Sequence, residues 1–245
     1  IRCNAPWKRS EPRPRAGPAM TADRLSFATE AGLTLPSDGR ILLIGAPGDL
    51  LTEALPLERC AVVQGFNPDH DLWQRRGVPV ALAPEGDFAA AIVFLPRSRE
   101  LAEARVAMAC AAAPGGLIVI DGQKTDGIEP IAKAVKARAP LLGQVSKAHG
   151  KTVWFTATDA FADWAREAAP NVHGLWTAPG VFSADAPDPG SAALLAALPE
   201  KLGAQVADLG AGWGGLGAGL LTRDGIRTLH MVEADHAAFE CARRN

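Results

Sequence analysis

The sequence predicts an α/β chain in which one doubly wound fold is begun twice, the first copy degenerate and the second incomplete. Three observations carry that prediction. From Leu25 onward, short apolar runs alternate with amphipathic stretches, and several runs are continuously apolar, as strands of a parallel sheet covered on both faces are. A strand–glycine–helix turn at residues 40–48 returns at residues 205–212. Only the second occurrence carries acids, at Asp208 and again 25 residues later at Glu233.

Taken in order, residues 1–19 place Pro6, Pro12, Pro14 and Pro18 among scattered arginines with almost no apolar periodicity. This composition predicts disorder. Met20 followed by Thr21 reads as a natural start, so the preceding stretch is expected to lie outside the working protein. A transit peptide is the competing reading, but the prolines prevent the amphipathic helix it requires. A first domain is expected over residues 20–165, with strands at 41–44, 61–64, 90–95, 117–120 and 152–156. Helices are expected at 98–112 and 128–138, the latter from Ile128, Ile131, Ala132 and Val135 on one face. Pro114-Gly115-Gly116 and Asp121-Gly122 supply turns. Residues 166–190 read as a linker leading into a second domain that occupies 191–245. There Ser191 is placed to cap a helix over 192–198, residues 205–207 open a strand, and residues 228–233 form the next one.

The turn between those last two strands is the strongest chemical signal in the chain. Asp208, Gly210, Gly212 and Gly214 lie in one loop, and Glu233 ends the following strand. Glycines permit a tight turn into a helix and close approach of a ligand to bare backbone. Gly210, Gly212 and Gly215 also satisfy the dinucleotide pattern G-x-G-x-x-G. A pyrophosphate, however, calls for backbone N–H groups at a helix start and no adjacent carboxylate, whereas Asp208 stands two residues before the first glycine. The acid pair suits a cationic ligand that carries a ribose, with Glu233 facing the diol. A glycine turn without a ligand is the bland alternative.

Setting 40–48 over 205–212 with the glycines in register pairs Gly45 with Gly210 and Ala46 with Ala211. Leu43 then stands for Asp208, Pro47 for Gly212, and Gln64 for Glu233. The first copy has lost the acids and a glycine, and is expected not to hold the same ligand.

With Pro179-Gly-Val-Phe-Ser183, Asp188-Pro-Gly-Ser191, Leu194-Leu195 and Asp208-Leu-Gly-Ala-Gly212, the chain resembles the ribosomal RNA small subunit methyltransferase C-like family. These are two-domain guanine-N2 methyltransferases of the class I, S-adenosylmethionine-dependent type. The resemblance runs from about Leu25 to Asn245 and is strongest over 179–245. It implies two tandem Rossmann-like class I methyltransferase folds and S-adenosyl-L-methionine as cofactor. It also implies methylation of the exocyclic N2 of a guanine in small-subunit ribosomal RNA. A cytoplasmic monomer is expected, with no metal because the cysteines lack metal-ligand spacing and no membrane because no apolar run approaches ~18 residues. Cofactor-binding residues implied by the match are Asp208, Gly210, Gly212, Gly214 and Glu233, with Phe182, Asp188, Gly190 and Ser191 framing the site. The family's Asn-Pro-Pro-aromatic segment follows the fourth strand of the catalytic domain. The present sequence reaches Asn245 after the second strand and its helix, so the catalytic residues are expected beyond it and this stretch alone is expected to be inactive. A methyltransferase of small molecules or proteins, and a non-catalytic ribosome- or RNA-binding module, remain as alternatives.

Composition constrains partners. The chain is 48% hydrophobic with a formal net charge of −2, and from Met20 onward the balance is near −6, which by itself does not advertise a nucleic-acid protein. One local exception is residues 124–151, where Lys124, Lys133, Lys136, Arg138, Lys147 and Lys151 outnumber Asp126 and Glu129. That stretch is the expected phosphate-facing surface, against the alternative of an ordinary solvated face. Cys3, Cys60, Cys110 and Cys241 are widely spaced and show no metal-ligand pattern. Trp154, Trp164 and Trp176 are expected in packing rather than base stacking.

Overall fold

A computed structural model describes residues 18–245, with side chains from Arg24. Residues 1–17, most of the segment expected to be disordered, lie outside the described residues; Pro18 and Ala19 open the first helix. The first unit runs α1 (Pro18–Glu30), β1 (Ile41–Ile44), β2 (Cys60–Val63), α2 (Asn67–Arg75), β3 (Val80–Ala81), β4 (Ala90–Phe94) and α3 (Arg99–Ala112). It continues through β5 (Leu117–Gln123), α4 (Ile128–Arg138), β6 (Leu141–Lys147) and β7 (Gly150–Thr156). These strands build one seven-stranded sheet in the order β3-β2-β1-β4-β5-β7-β6. β3, β2, β1, β4 and β5 pair in parallel, and β7 runs antiparallel to both β5 and β6.

Side chains alternate along each strand, so the apolar runs feed two cores at once. Leu42, Ile44, Val93, Ile118 and Ile120 pack with Val106 of α3 and Val135 of α4. Ile41, Leu43, Ile92 and Val119 pack on the other face with Leu25 of α1 and Trp73 of α2. Both faces are covered, as the continuous apolar strands predicted. The five strands and two helices expected here all form. α4 has the expected bounds, and Ser98 is the cap of α3 rather than its first residue, accepting from the Leu101 N–H. The largely polar α2 and the two-residue β3 were not expected, nor were α1 and β6.

Two short strands, β8 (Ala169–Pro170) and β9 (Trp176–Thr177), lead into the second unit. This holds α5 (Pro189–Ala197), β10 (Gln205–Leu209), α6 (Gly215–Leu221), β11 (Thr228–Val232) and α7 (His236–Arg244). β10 and β11 pair in parallel, and Ala178, Trp213 and Cys241 form the local core. The units meet where β2 and β11 end: the Asn67 N–H donates to the Ala234 carbonyl at 2.8 Å, and the His236 N–H donates to the Gly65 carbonyl at 2.9 Å.

Candidate functional site

β10 delivers Asp208 to the carboxyl end of the small sheet, and the chain turns through glycines into α6. Gly210, Gly212 and Gly214 have φ of +82°, +58° and +87°, a region that L side chains rarely adopt. The Gly210 and Ala211 N–H groups both donate to the Val232 carbonyl, at 2.8 and 3.0 Å, which pins the loop to β11. A Cβ added at Gly210 or Gly212 would meet nothing within 4 Å, whereas one at Gly214 would lie 3.3 Å from Ala242 of α7. The first two glycines face open space and the third serves the packing of the turn.

That open space belongs to a cavity of about 490 Å³ bordered by Asp208, Gly210, Gly212, Phe182, Asp188 and Ser191. Asp208 is 8% exposed, and its Oδ2 is the one buried side-chain polar atom among the described residues without a hydrogen-bond partner. Burial, reinforced by the nearby Glu233 carboxylate, raises its pKa above the ordinary 3.8. Glu233 does not border that cavity; it lines a neighbouring one with Gln64 and Asn67 and reaches the glycine loop by hydrogen bonds. Its Oε2 accepts from the Gly212 N–H at 2.7 Å, and its Oε1 accepts from the N–H groups of Ala234 and Asp235 at 2.7 and 2.8 Å. Sequence reasoning aimed this carboxylate at a ribose. Three of its four lone-pair positions are spent on backbone, which leaves one on Oε2.

The segment 179–191 forms the cavity's other wall, with one correction. Ser191 does not cap the following helix. Asp188 does, its Oδ2 accepting from the Ser191 N–H at 2.9 Å, and the helix is Pro189–Ala197 rather than 192–198. A proline fits the first turn, where the missing N–H is no loss, so the Asp-Pro pair starts the helix earlier. Gly190 stands off the cavity, where a Cβ would press on Asp188 Oδ2 at 2.8 Å. Ser183 carries a φ of +51°.

Three organisers were missed. Trp213, inside the glycine loop, is 4% exposed and donates its indole N–H to the Phe182 carbonyl at 2.9 Å. Asn245 accepts from the Trp176 N–H at 2.6 Å and donates to the Trp213 carbonyl at 2.7 Å. Arg223 donates to the Leu195, Leu198 and Pro199 carbonyls at the end of α5. Tryptophan between glycines was the available signal for the first; the other two are long-range and leave none.

The first copy reproduces the frame without the chemistry. Gly45 has a φ of +68°, and its N–H donates to the Val63 carbonyl at 2.8 Å, the counterpart of Gly210 and Val232. Leu43 pairs with Val62 as Asp208 pairs with Met231, so Gln64 follows Val63 as Glu233 follows Val232. Gln64 donates to the Ala46 carbonyl at 2.9 Å and accepts from the Phe66 N–H at 3.0 Å. Trp73 donates to that same carbonyl at 3.0 Å, and Arg105 Nη1 lies 2.1 Å from where a Gly45 Cβ would stand. The chain's own side chains fill the ground that stays open in the second copy.

A sheet of this order with its reversed strand, followed by an acid–glycine turn on a second parallel strand pair, defines a class I methyltransferase fold and the start of another. The family model described as "Methyltransferase small domain N-terminal" matches residues 35–165, and "Methyltransferase small domain" matches residues 173–245. The chain belongs to this family, in the two-domain arrangement of the ribosomal RNA small subunit methyltransferase C-like proteins. It is 30% identical over 226 residues to ribosomal RNA small subunit methyltransferase C of Pseudomonas aeruginosa strain UCBPP-PA14, covering 83% of this chain and 64% of that one. The protein of the same name from Stutzerimonas stutzeri strain A1501 is 31% identical over 224 residues, covering 84% and 65%. Among solved structures, the T. thermophilus 16S rRNA N2 G1207 methyltransferase, in complex with AdoMet and guanosine, aligns with a TM-score of 0.71 at 24% identity, covering 91% of this chain and 65% of that one. The chain thus spans about 64% of the length of the first of these curated relatives.

Proposed function

We propose that the chain forms the recognition domain and the cofactor-binding start of the catalytic domain of an S-adenosylmethionine-dependent methyltransferase. Its target is the exocyclic N2 of a guanine in small-subunit ribosomal RNA. The observation that carries the cofactor reading is Asp208, a buried carboxylate with one oxygen unpartnered beside an open cavity and a second acid one strand away. An unpaired buried charge is costly, and a ligand bearing an ammonium and a sulfonium relieves it. A pyrophosphate would add repulsion. When bound, S-adenosylmethionine supplies an electrophilic methyl group. Asp208 offers its free oxygen to the ligand's cationic end, and Gly210 and Gly212 leave backbone open to it. Glu233 holds the loop through Gly212 and gives its remaining lone pair to a ribose hydroxyl. Gly214 fixes the turn.

The domain division follows the same reading: a degenerate domain over 20–165, a lead-in segment over 166–190 and the cofactor-binding domain from 191. The first domain contributes RNA grip through the lysines of 124–151, and the protein works as a monomer in the cytoplasm on ribosomal RNA or the small subunit. A flipped guanine must be held in line with the methyl group, and none of the residues assigned here performs that task. Calorimetric titration with S-adenosylmethionine tests the site. Glu233→Ala should weaken binding by roughly 1–3 kcal/mol, as removal of a charged hydrogen-bond partner does. Unchanged binding would remove Glu233 from it.

A further inference from the structure

The contact between the two units relates equivalent residues of the two copies. With Gln64 standing for Glu233, Gly65 corresponds to Ala234, Phe66 to Asp235 and Asn67 to His236. Phe66 and Asp235 face each other as an antiparallel bridge. Asn67 donates to the Ala234 carbonyl and His236 donates to the Gly65 carbonyl, at 2.8 and 2.9 Å. Each copy offers the same N–H and the same carbonyl to the other, the pattern of a two-fold interface within one chain.

The position of this contact gives it a consequence. The Ala234 and Asp235 N–H groups donate to Glu233 Oε1, while the Ala234 carbonyl accepts from Asn67 and the His236 N–H is held by Gly65. The first unit therefore holds Ala234 and His236, the residues on either side of Asp235, and the Ala234 and Asp235 N–H groups in turn hold the Glu233 carboxylate. Asp235 is also the N-cap of α7, accepting from the Ala238 N–H at 3.0 Å. Arg105 of α3 is a half-buried cation of the first unit, with Nη1 held by the Phe94 carbonyl at 2.8 Å. Burial lowers its pKa to about 10, and the Asp235 carboxylate opposes that shift.

We propose that the β2–α2 turn of the degenerate domain, through the Gly65 carbonyl and the Asn67 N–H, is a positioning element of the cofactor site: it fixes Glu233 for the ribose. This rests on the cofactor assignment made above. The degenerate copy then does more than recognise substrate, since the site of the intact copy is braced by it. No side-chain identity is needed at Asn67, only its N–H, which gives the inference a sharp test.

Asn67→Pro deletes that donor at a position suited to it. Residue 67 is the first of α2, where proline is tolerated, and Phe66 before it has φ −85° and ψ 110°, the extended geometry a following proline requires. Asn67→Ala keeps the N–H and is the control. In the full chain titrated with S-adenosylmethionine, Asn67→Pro should bind roughly two- to tenfold more weakly, the span of one main-chain hydrogen bond, while Asn67→Ala matches the unaltered protein. Amide hydrogen exchange supplies a readout free of ligand. The Gly212 and Asp235 amides, which donate to Glu233, should exchange faster in Asn67→Pro while those of β1 and β4 stay protected. His236→Pro, which removes the reciprocal donor at the first residue of α7, should reproduce both effects. Binding and exchange unchanged in both proline variants, with the unaltered protein binding normally, would overturn the inference and leave the cofactor site standing. Equal losses in Asn67→Pro and Asn67→Ala would overturn it too, by moving the effect to the side chain. If the unaltered chain takes up no S-adenosylmethionine, the site assignment falls and the inference falls with it.

Discussion

Asp208 is destabilising where it stands. A buried carboxylate oxygen without a partner costs on the order of 1–3 kcal/mol, a cost expected at a site kept for a ligand. Asp208→Asn should therefore leave the melting temperature unchanged or raise it, while S-adenosylmethionine binding weakens about tenfold or more; a melt and a titration on the same sample check both. Because the folded pKa is raised, the folded state binds the proton more tightly than the unfolded one. Its contribution to stability is thus most favourable at low pH and declines as pH rises from the ordinary value through the raised one. Ligand affinity should run oppositely, rising across that window as the carboxylate ionises, with proton release in calorimetry at the acid end. Asp208→Asn should flatten the profile. Asp208, the glycines and Glu233 were legible because their spacing along the chain is their chemistry. The engagement of Glu233 with three backbone N–H groups was not, since it depends on where the loop folds back.

Among the elements, α1 is held by a buried pair. Arg24 Nε and Nη2 each reach an Asp121 carboxylate oxygen at 2.7 Å, both side chains 2% exposed or less, and Thr152 adds a third bond at 2.7 Å. Arg24→Met should cost about 3–5 kcal/mol in a denaturant titration, because the buried Asp121 loses its cation and keeps only the Thr152 hydroxyl. The double variant with Asp121→Leu should recover much of it, since replacing both partners of a buried pair is often near neutral. Strands with continuous apolar runs and helices with one apolar face were readable in the first unit. α1 was not, because its partner lies 97 residues away. The start of α5 was misread because Ser191 and Asp188 are both good caps, and only the backbone geometry chooses between them.

At the scale of the molecule, stability is uneven. The first unit has two large cores, one on each face of its sheet. The second has a two-stranded sheet whose Leu209 and Val232 are 77% and 54% exposed. Limited proteolysis should leave a resistant fragment ending near residues 165–180 while the remainder is cut, as low contact density predicts; uniform digestion of the two units would contradict this. The basic stretch divides in the fold. Lys151 pairs with Glu129, and Arg138 with Asp163, whereas Lys124, Lys133 and Lys136 are exposed and Lys147 stands 5.0 Å above the Phe27 ring. Replacing Lys147 with Ala should lower the log–log salt slope of RNA binding by about 0.7–0.9 if it contacts one phosphate. Lys151→Ala should act more on stability. An unchanged slope for Lys147→Ala places the RNA surface elsewhere.

The sequence by itself determined the α/β class, the double start of the fold and the loop that carries the acids. Those features are local: periodicity, turn glycines and short spacings are set by neighbours along the chain. It also told the copies apart, because losing Asp208 and Glu233 at Leu43 and Gln64 is visible once the glycines are in register. Tertiary structure alone decided that the first copy's site is closed by Arg105 and Trp73, and that Asn67 and Gly65 brace the segment beside Glu233. These contacts join residues from 27 to about 170 positions apart. The bracing bonds are made by main-chain N–H and carbonyl groups, which every residue but proline possesses, so no choice of side chain announces them.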